Sequence, residues 1–560
     1  MVASRWRHGG ATVDRLDDST GLDCPRGGRT ANGVWALCRP VASVIIFPRH
    51  FTLALRKPGR TQFDDEPSLM STDGTRSMPV RSLVSLVLLV GGIALVGGVW
   101  AAIAAGGANE RDEIVLTMVG AATLSLVFPV GVAMTSRPYD VLHPLNFVAL
   151  SLFFGVFART LFLVFSDSPA AVEVLEGYPL TAVLPGAILS AIGSAFICAG
   201  YLAGRPLRLS LFGFEEWLQR FDASRMVRML PIFFIICSIA TVLFLRATGF
   251  QYSGLSSLSI KRRVVIDDVE SSYGYFRLVA QDIPRVILLL LTATFLMRSY
   301  WSSWLKPAMV AFFMLAVTLP FLSSSRSNVL IAVISLCAVI NRIRPIRLTT
   351  LLMALTVCIV VLFGMLGLRR TSTQGANLSD AISEMGIQPL LANHSFADVI
   401  KLGHIYQSVP DLIDYKMGTS FLGVFYAPIP RQIWSGKPAI SMGREITEKI
   451  YNRGLTLKDK GGGTPPGLFG ESWINFGAFG FGFCTFAFGL ILRWLHNTLG
   501  GLADTSEPGA ALYGGVMPLF CLSTMGGDFT RGWVQALGLL GVVVMLTWVT
   551  RVRWLPRSGG

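Results

Sequence analysis

The chain has 560 residues, of which 52% are hydrophobic and only 15% charged. Soluble proteins carry about 25% charged residues, so an ordinary soluble globular fold is excluded. The net charge of +14 comes with no basic soluble domain and no aromatic platforms. This argues against nucleic-acid binding and for basic residues that anchor apolar helices on anionic lipid.

Residues 1–78 are rich in Arg, Asp, Gly and Thr and hold one short apolar patch, Val41–Phe47. They read as a disordered cytoplasmic extension without a signal-peptide pattern. Met78 stands directly before Pro79-Val80-Arg81 and the first long apolar run, which marks an alternative start. Apolar runs of bilayer-crossing length then follow at 82–105, 114–135, 144–166, 181–203, 229–246, 284–298, 307–323, 329–341, 348–368, 469–492, 511–526 and 533–550. The expected fold is therefore all-α: a polytopic integral membrane protein of about 12 transmembrane helices. Helices 1–9 occupy 79–368, a large extracytoplasmic insertion with helical and irregular parts occupies 369–468, and helices 10–12 with a basic tail occupy 469–560. Eight cysteines are present, with no CxxC and no Cys/His metal spacing. Cys198, Cys237, Cys337, Cys358, Cys484 and Cys521 fall within apolar runs and read as packing residues.

Basic residues in the short connections set the expected orientation. Arg205, Arg208, Arg220, Arg225 and Arg228 fill one connection, Arg298 and Lys306 flank another, and Arg342, Arg344 and Arg347 fill a third. With an even span count these fall on one side together with Arg76, Arg81, Arg551, Arg553 and Arg557. That side is expected to be the cytoplasm, with both termini there. The outer side then receives the acidic 167–180 connection, residues 247–282, the Ser323–Asn328 turn, the 369–468 insertion and Gly527–Gly532.

Basic residues on the outer side break this rule and call for a reason. They include Lys261-Arg262-Arg263, Arg326, Arg369-Arg370, Arg431, Lys437, Arg444 and Arg531. Arg326 lies among Ser323, Ser324, Ser325 and Ser327, where a guanidinium fork and hydroxyl donors suit an oxyanion; the other reading is snorkelling to lipid phosphate. Arg431 follows Pro428-Ile429-Pro430, and Lys437 follows Trp434-Ser435-Gly436, a spacing that suggests a rigid cationic wall or else a loop resting on headgroups. Glu471 stands at the outer mouth of a helix, where a carboxylate either pairs with an arginine or acts as a base. Asp528 and Arg531 form a second such pair, which a local salt bridge would also explain. His394 and His404 flank Asp398 at a spacing that does not suit zinc on one helix face. No GxxxxGK[ST] loop, Asp-x-Asp or GxSxG motif is present. Cations and scattered carboxylates beside lipid suit a substrate that is itself lipid-linked and carries phosphate.

Four segments together resemble the bacterial O-antigen or oligosaccharide repeat-unit polymerases of the Wzy type, over roughly residues 85–550. They are Leu258-Ser259-Ile260-Lys261-Arg262-Arg263 ending in Gly274-Tyr275; the serine turn around Arg326; Pro428-Ile429-Pro430-Arg431 with Trp434 and Lys437-Pro438; and Glu471 leading into Asn475-Phe476-Gly477 and Gly480. The last two in that order and spacing are the more specific. The resemblance implies glycosyl transfer on the outer face of the cytoplasmic membrane, from a growing glycan on undecaprenyl pyrophosphate to a hydroxyl of the next lipid-linked repeat. It implies no cofactor and no metal. Arg326, Arg431 and Lys437, joined by Arg262, Arg263 and Arg531, would hold the pyrophosphate, and Glu471 would take the hydroxyl proton, with His394 and His404 as further candidates. A lipid-linked oligosaccharide is the implied substrate, and a chain-length regulator and a flippase are the implied partners. The competing readings are an O-antigen ligase, a transporter or flippase of lipid-linked sugars, and an assembly subunit whose loop binds a partner.

Overall fold

The computed structural model describes residues 109–136, 140–168, 179–204, 213–247, 278–298, 304–322, 326–347, 398–427, 433–438 in part, 442–451 and 463–551, with a few isolated positions between them. Every described element is a helix. In lipid a backbone has no water to bond, and a helix satisfies its N–H and C=O groups internally. The elements, in chain order, are α1 (Glu110–Met134), α2 (Pro144–Phe165), α3 (Leu180–Ala203), α4 (Phe214–Gln219), α5 (Ala223–Ala247), α6 (Leu278–Arg298), α7 (Leu305–Leu322) and α8 (Arg326–Ile343). They continue with α9 (Val399–Ser408), α10 (Gly423–Tyr426), α11 (Gly443–Lys449), α12 (Gly467–Thr505), α13 (Glu507–Gly526) and α14 (Phe529–Arg551).

Among the described residues, nine helices are long and apolar enough to cross a membrane, and α8 is a shorter apolar helix. By helix length and hydropathy the chain is a multi-pass membrane protein. The expected run at 82–105 and the 1–78 extension lie outside the described residues, and the run at 348–368 is described only at 349, 350, 353, 354 and 356, all helical. Several boundaries differ from the sequence reading: α5 and α6 each begin six residues before the expected runs, at Ala223 and Leu278, and α14 begins four before, at Phe529. Arg326 begins α8 and does not sit in the Ser323–Asn328 turn, and the run expected at 469–492 continues as helix to Thr505. The reason is that polar residues such as Arg493 and His496 end an apolar window without ending a helix.

α13 is the central element, with 83% of its apolar window buried, and it packs on α12, α14, α8, α6 and α2. α5 is only 28% buried and presents Ile232, Ile235, Ile236, Ile239 and Val242 outward. An apolar outer surface costs nothing against lipid tails, so helix association there depends on close packing. Glycines supply it. A Cβ on Gly186 of α3 would lie 2.0 Å from the Val399 carbonyl, and one on Gly403 of α9 would lie 2.2 Å from the Ala182 carbonyl. α9 is too short to span and is held by this contact against α3 and α12. Gly403→Ala should therefore separate α9 from α3 and cost about 1–3 kcal/mol as overpacking does. A lower Tm in detergent checks this, and an unchanged Tm would mean that α9 shifts freely.

The long α12 is broken at Gly477, whose φ of 63° and ψ of −149° are not helical. A Cβ would be strained at that φ and would also meet the Tyr415 hydroxyl at 3.1 Å. The break removes partners from the carbonyls preceding it, and the polar insertion replaces them. Lys416 N–H donates to the Ile474 carbonyl at 3.0 Å and Met417 N–H to the Asn475 carbonyl at 3.0 Å. Gly418 N–H donates to Asn475 Oδ1 at 2.9 Å. The segment after α9 is thus fastened to the kink of α12.

Candidate functional site

That fastening delivers Ser420 to Glu471. Glu471 lies nearly two turns before the kink and is 1% exposed. Its Oε1 accepts the Ser420 hydroxyl at 2.6 Å, and its Oε2 accepts the Phe529 N–H, the first of α14, at 2.7 Å. A carboxylate at a helix N-terminus meets both a free N–H and the positive end of the helix dipole. Asn475, one turn along α12, donates through Nδ2 to Ser420 Oγ at 2.7 Å and to the Glu471 carbonyl at 2.8 Å. The Thr530 hydroxyl donates to the Ser420 carbonyl at 2.8 Å. Ser420 is half-buried, so its hydroxyl links the enclosed carboxylate to the insertion side.

Further charges lie buried around this cluster. Asp528 is 2% exposed and stands close enough to Glu471 and to Lys401 to act on both electrostatically. Lys401 on α9 is 1% exposed and donates to the Pro465 carbonyl at 2.8 Å. Burial pushes its ammonium below the ordinary lysine value, Asp398 pulls it back up, Arg159 lowers it and Asp528 raises it. Asp398 caps α9 by accepting the Ile400 N–H at 3.1 Å and pairs with Arg159 of α2 at 3.2 Å, both side chains buried. The first turn of α9 therefore carries an acid and a base that face the helices. In the insertion, burial raises the Glu445 carboxyl, but hydrogen bonds and charges from Lys416 and Lys449 outweigh it and hold the group below its ordinary value.

The sequence candidates fall into distinct places. Lys437 is 7% exposed and donates to the Ala427 carbonyl at 2.7 Å and the Ile429 carbonyl at 2.8 Å. It folds the proline segment back on itself, so two of its donors are engaged by protein. His404 lines an open groove of about 410 Å³ with Pro179, Thr181, Gln407, Ser408 and Ile450, and its ring rests 5.5 Å from that of Tyr451. The lining of this groove includes neither Glu471 nor Lys437. Arg531 is exposed whereas Asp528 is buried. Arg262, Arg263, His394 and Arg431 lie outside the described residues, as does the side chain of Arg326. Among the described residues no group of His, Cys, Asp and Glu is placed to hold a metal ion.

Ser420, Lys401 and Arg159 were not singled out by sequence reasoning. Arg159 had a signal, a lone cation inside an apolar run, of the kind that marks intramembrane function. Ser420 had none, because nothing local distinguishes one loop serine from another.

No family model, curated protein or solved structure matches this chain. The fold defines the class: a multi-pass helical membrane protein with a polar insertion bound to one end of the helix bundle.

Proposed function

We propose that the chain polymerises undecaprenyl-pyrophosphate-linked oligosaccharide repeat units into a cell-surface polysaccharide on the outer face of the cytoplasmic membrane. The observation that carries this reading is the Glu471–Ser420–Asn475 cluster, a carboxylate enclosed at the bundle end and reached through a hydroxyl of the insertion. Glu471 and Asn475 of this cluster also belong to the pattern that resembles Wzy-type polymerases. The reading includes twelve spans, with both termini cytoplasmic and the 369–468 insertion outside.

In the reaction, an acceptor sugar hydroxyl attacks the anomeric carbon of the donor glycan. The new C–O bond forms as the bond to pyrophosphate breaks, and its electron pair leaves with the pyrophosphate. The hydroxyl proton passes to Glu471, directly or through the Ser420 hydroxyl. Arg326 and Arg431 neutralise the leaving diphosphate, and Lys437 holds the segment that presents Arg431. The lipid-linked donor supplies the energy, so no nucleotide is needed.

A strain lacking the protein should accumulate single lipid-linked units. Long unattached chains would instead identify a ligase, and units facing the cytoplasm a flippase. Arg326→Ala and Arg431→Ala should each abolish long-chain glycan while the protein inserts normally, and normal chain lengths in both would discard the pyrophosphate site. Extension by purified membranes should persist in EDTA.

A further inference from the structure

Beyond the Gly477 break, about 24–29 Å further along the second part of α12 at 1.5 Å per residue, lies a second polar cluster that the reaction above does not use. It joins α2, α3 and α12 through one oxygen. His143 caps α2, its Nδ1 accepting the Leu145 N–H at 3.3 Å. Its ring proton therefore sits on Nε2, which donates to the Tyr201 hydroxyl at 2.9 Å. Arg493 donates a second N–H to the same oxygen at 3.2 Å, with its guanidinium over the Tyr201 ring. Tyr201 then has one proton to give, and it goes to His496 Nδ1 at 2.7 Å. Every position on the tyrosine oxygen is filled, and both histidines are fixed as neutral Nε2–H tautomers.

This inventory leaves no room for another proton. On His143 it would occupy Nδ1 and expel the Leu145 N–H, undoing the cap of α2. On His496 it would set a donor against an oxygen that already accepts two. The surrounding charges do not compensate. Asp140, before α2, accepts from Leu142 N–H and Asn341 Nδ2. Asp504 is bound by Arg342 of α8, which itself lies over the Tyr513 ring of α13. Tyr513 and Cys521 of α13 add no charge near neutral pH, and Tyr513 packs on His496. Arg493 and Arg342 both add positive charge to the surroundings of His496. Among the described residues no carboxylate lies within ion-pair distance of either imidazole.

We propose that His143, Tyr201 and His496 form a proton-sensitive latch, closed while both imidazoles are neutral and opened when either takes a proton. Opening frees the first turn of α2 from α3 and α12. The sign follows from linkage: the opened form binds more protons, so opening rises as pH falls below the free-histidine value of about 6.5.

The test is hydrogen exchange of the 141–150 segment, corrected for intrinsic rates, in the full chain held in phosphatidylcholine/phosphatidylglycerol nanodiscs. Between pH 6.5 and 5.5, protection should fall about fivefold for one proton taken up and up to about thirtyfold for two, given a free-histidine value of about 6.5. His143→Asn/His496→Asn offers acceptors at both Nδ1 positions without titrating, and its protection should not change with pH. Tyr201→Phe should already be less protected at pH 7.5. Wild-type protection independent of pH, or an equal fall in the double variant, overturns the latch. Should the double variant not fold, His143→Asn alone must reduce the fall, and an unreduced fall overturns the proposal equally.

Discussion

Glu471→Gln is expected to reduce glycan extension by about 10²–10⁴-fold, the usual contribution of a general base, while leaving the protein inserted and folded. The amide oxygen still accepts the Phe529 N–H, and the Ser420 hydroxyl, which Asn475 also holds, can turn its proton elsewhere. What the amide lacks is the capacity to take a proton. Glu471→Ala differs in kind, because it removes the acceptor from two enclosed donors, each costing about 1–3 kcal/mol when orphaned. The alanine variant should lose stability as well as activity, and glutamine mainly activity. Chain-length profiles at matched protein levels, with Tm in detergent, separate the two. Normal polymer from the glutamine variant would leave Glu471 as a tie between α12 and α14 only.

Arg159→Leu should cost about 3–5 kcal/mol, because it removes the guanidinium from the buried Asp398 carboxylate. Asp398→Asn keeps the cap on α9, since asparagine accepts the Ile400 N–H as well as aspartate does. Adding Asp398→Asn to Arg159→Leu should therefore recover part of the loss, with a coupling of about 1–3 kcal/mol between the positions. Lys401 limits that recovery, because it too draws on the Asp398 charge. Denaturation midpoints of the two single variants and the double variant measure the coupling. Strict additivity would show that the pair does no more than fill space.

The span pattern was legible because it rests on a local quantity. A run near 20 apolar residues must be helical in lipid, and α1, α3, α5, α13 and α14 stand where such runs occur. The end of α12 was misplaced because Arg493 and His496 break an apolar window yet continue the helix. Glu471 stood out as a costly charge at a helix mouth, and Asn475 entered with the same motif. Ser420 lies 51 residues before Glu471 and Phe529 lies 58 after it, and no periodicity encodes such a meeting. The same holds for Tyr201 and His496, which are 295 residues apart.

From the order of residues alone follow the membrane class, the helical character and the presence of a polar insertion, since each depends on the transfer of short segments between water and lipid. Which side chains share a proton or a charge was decided only by the folded chain. Gly477 breaks α12, the freed carbonyls draw in residues 416–418, and that contact sets Ser420 on Glu471. Buried polar groups must find partners wherever the packing of distant helices brings them, and that packing is a property of the whole molecule.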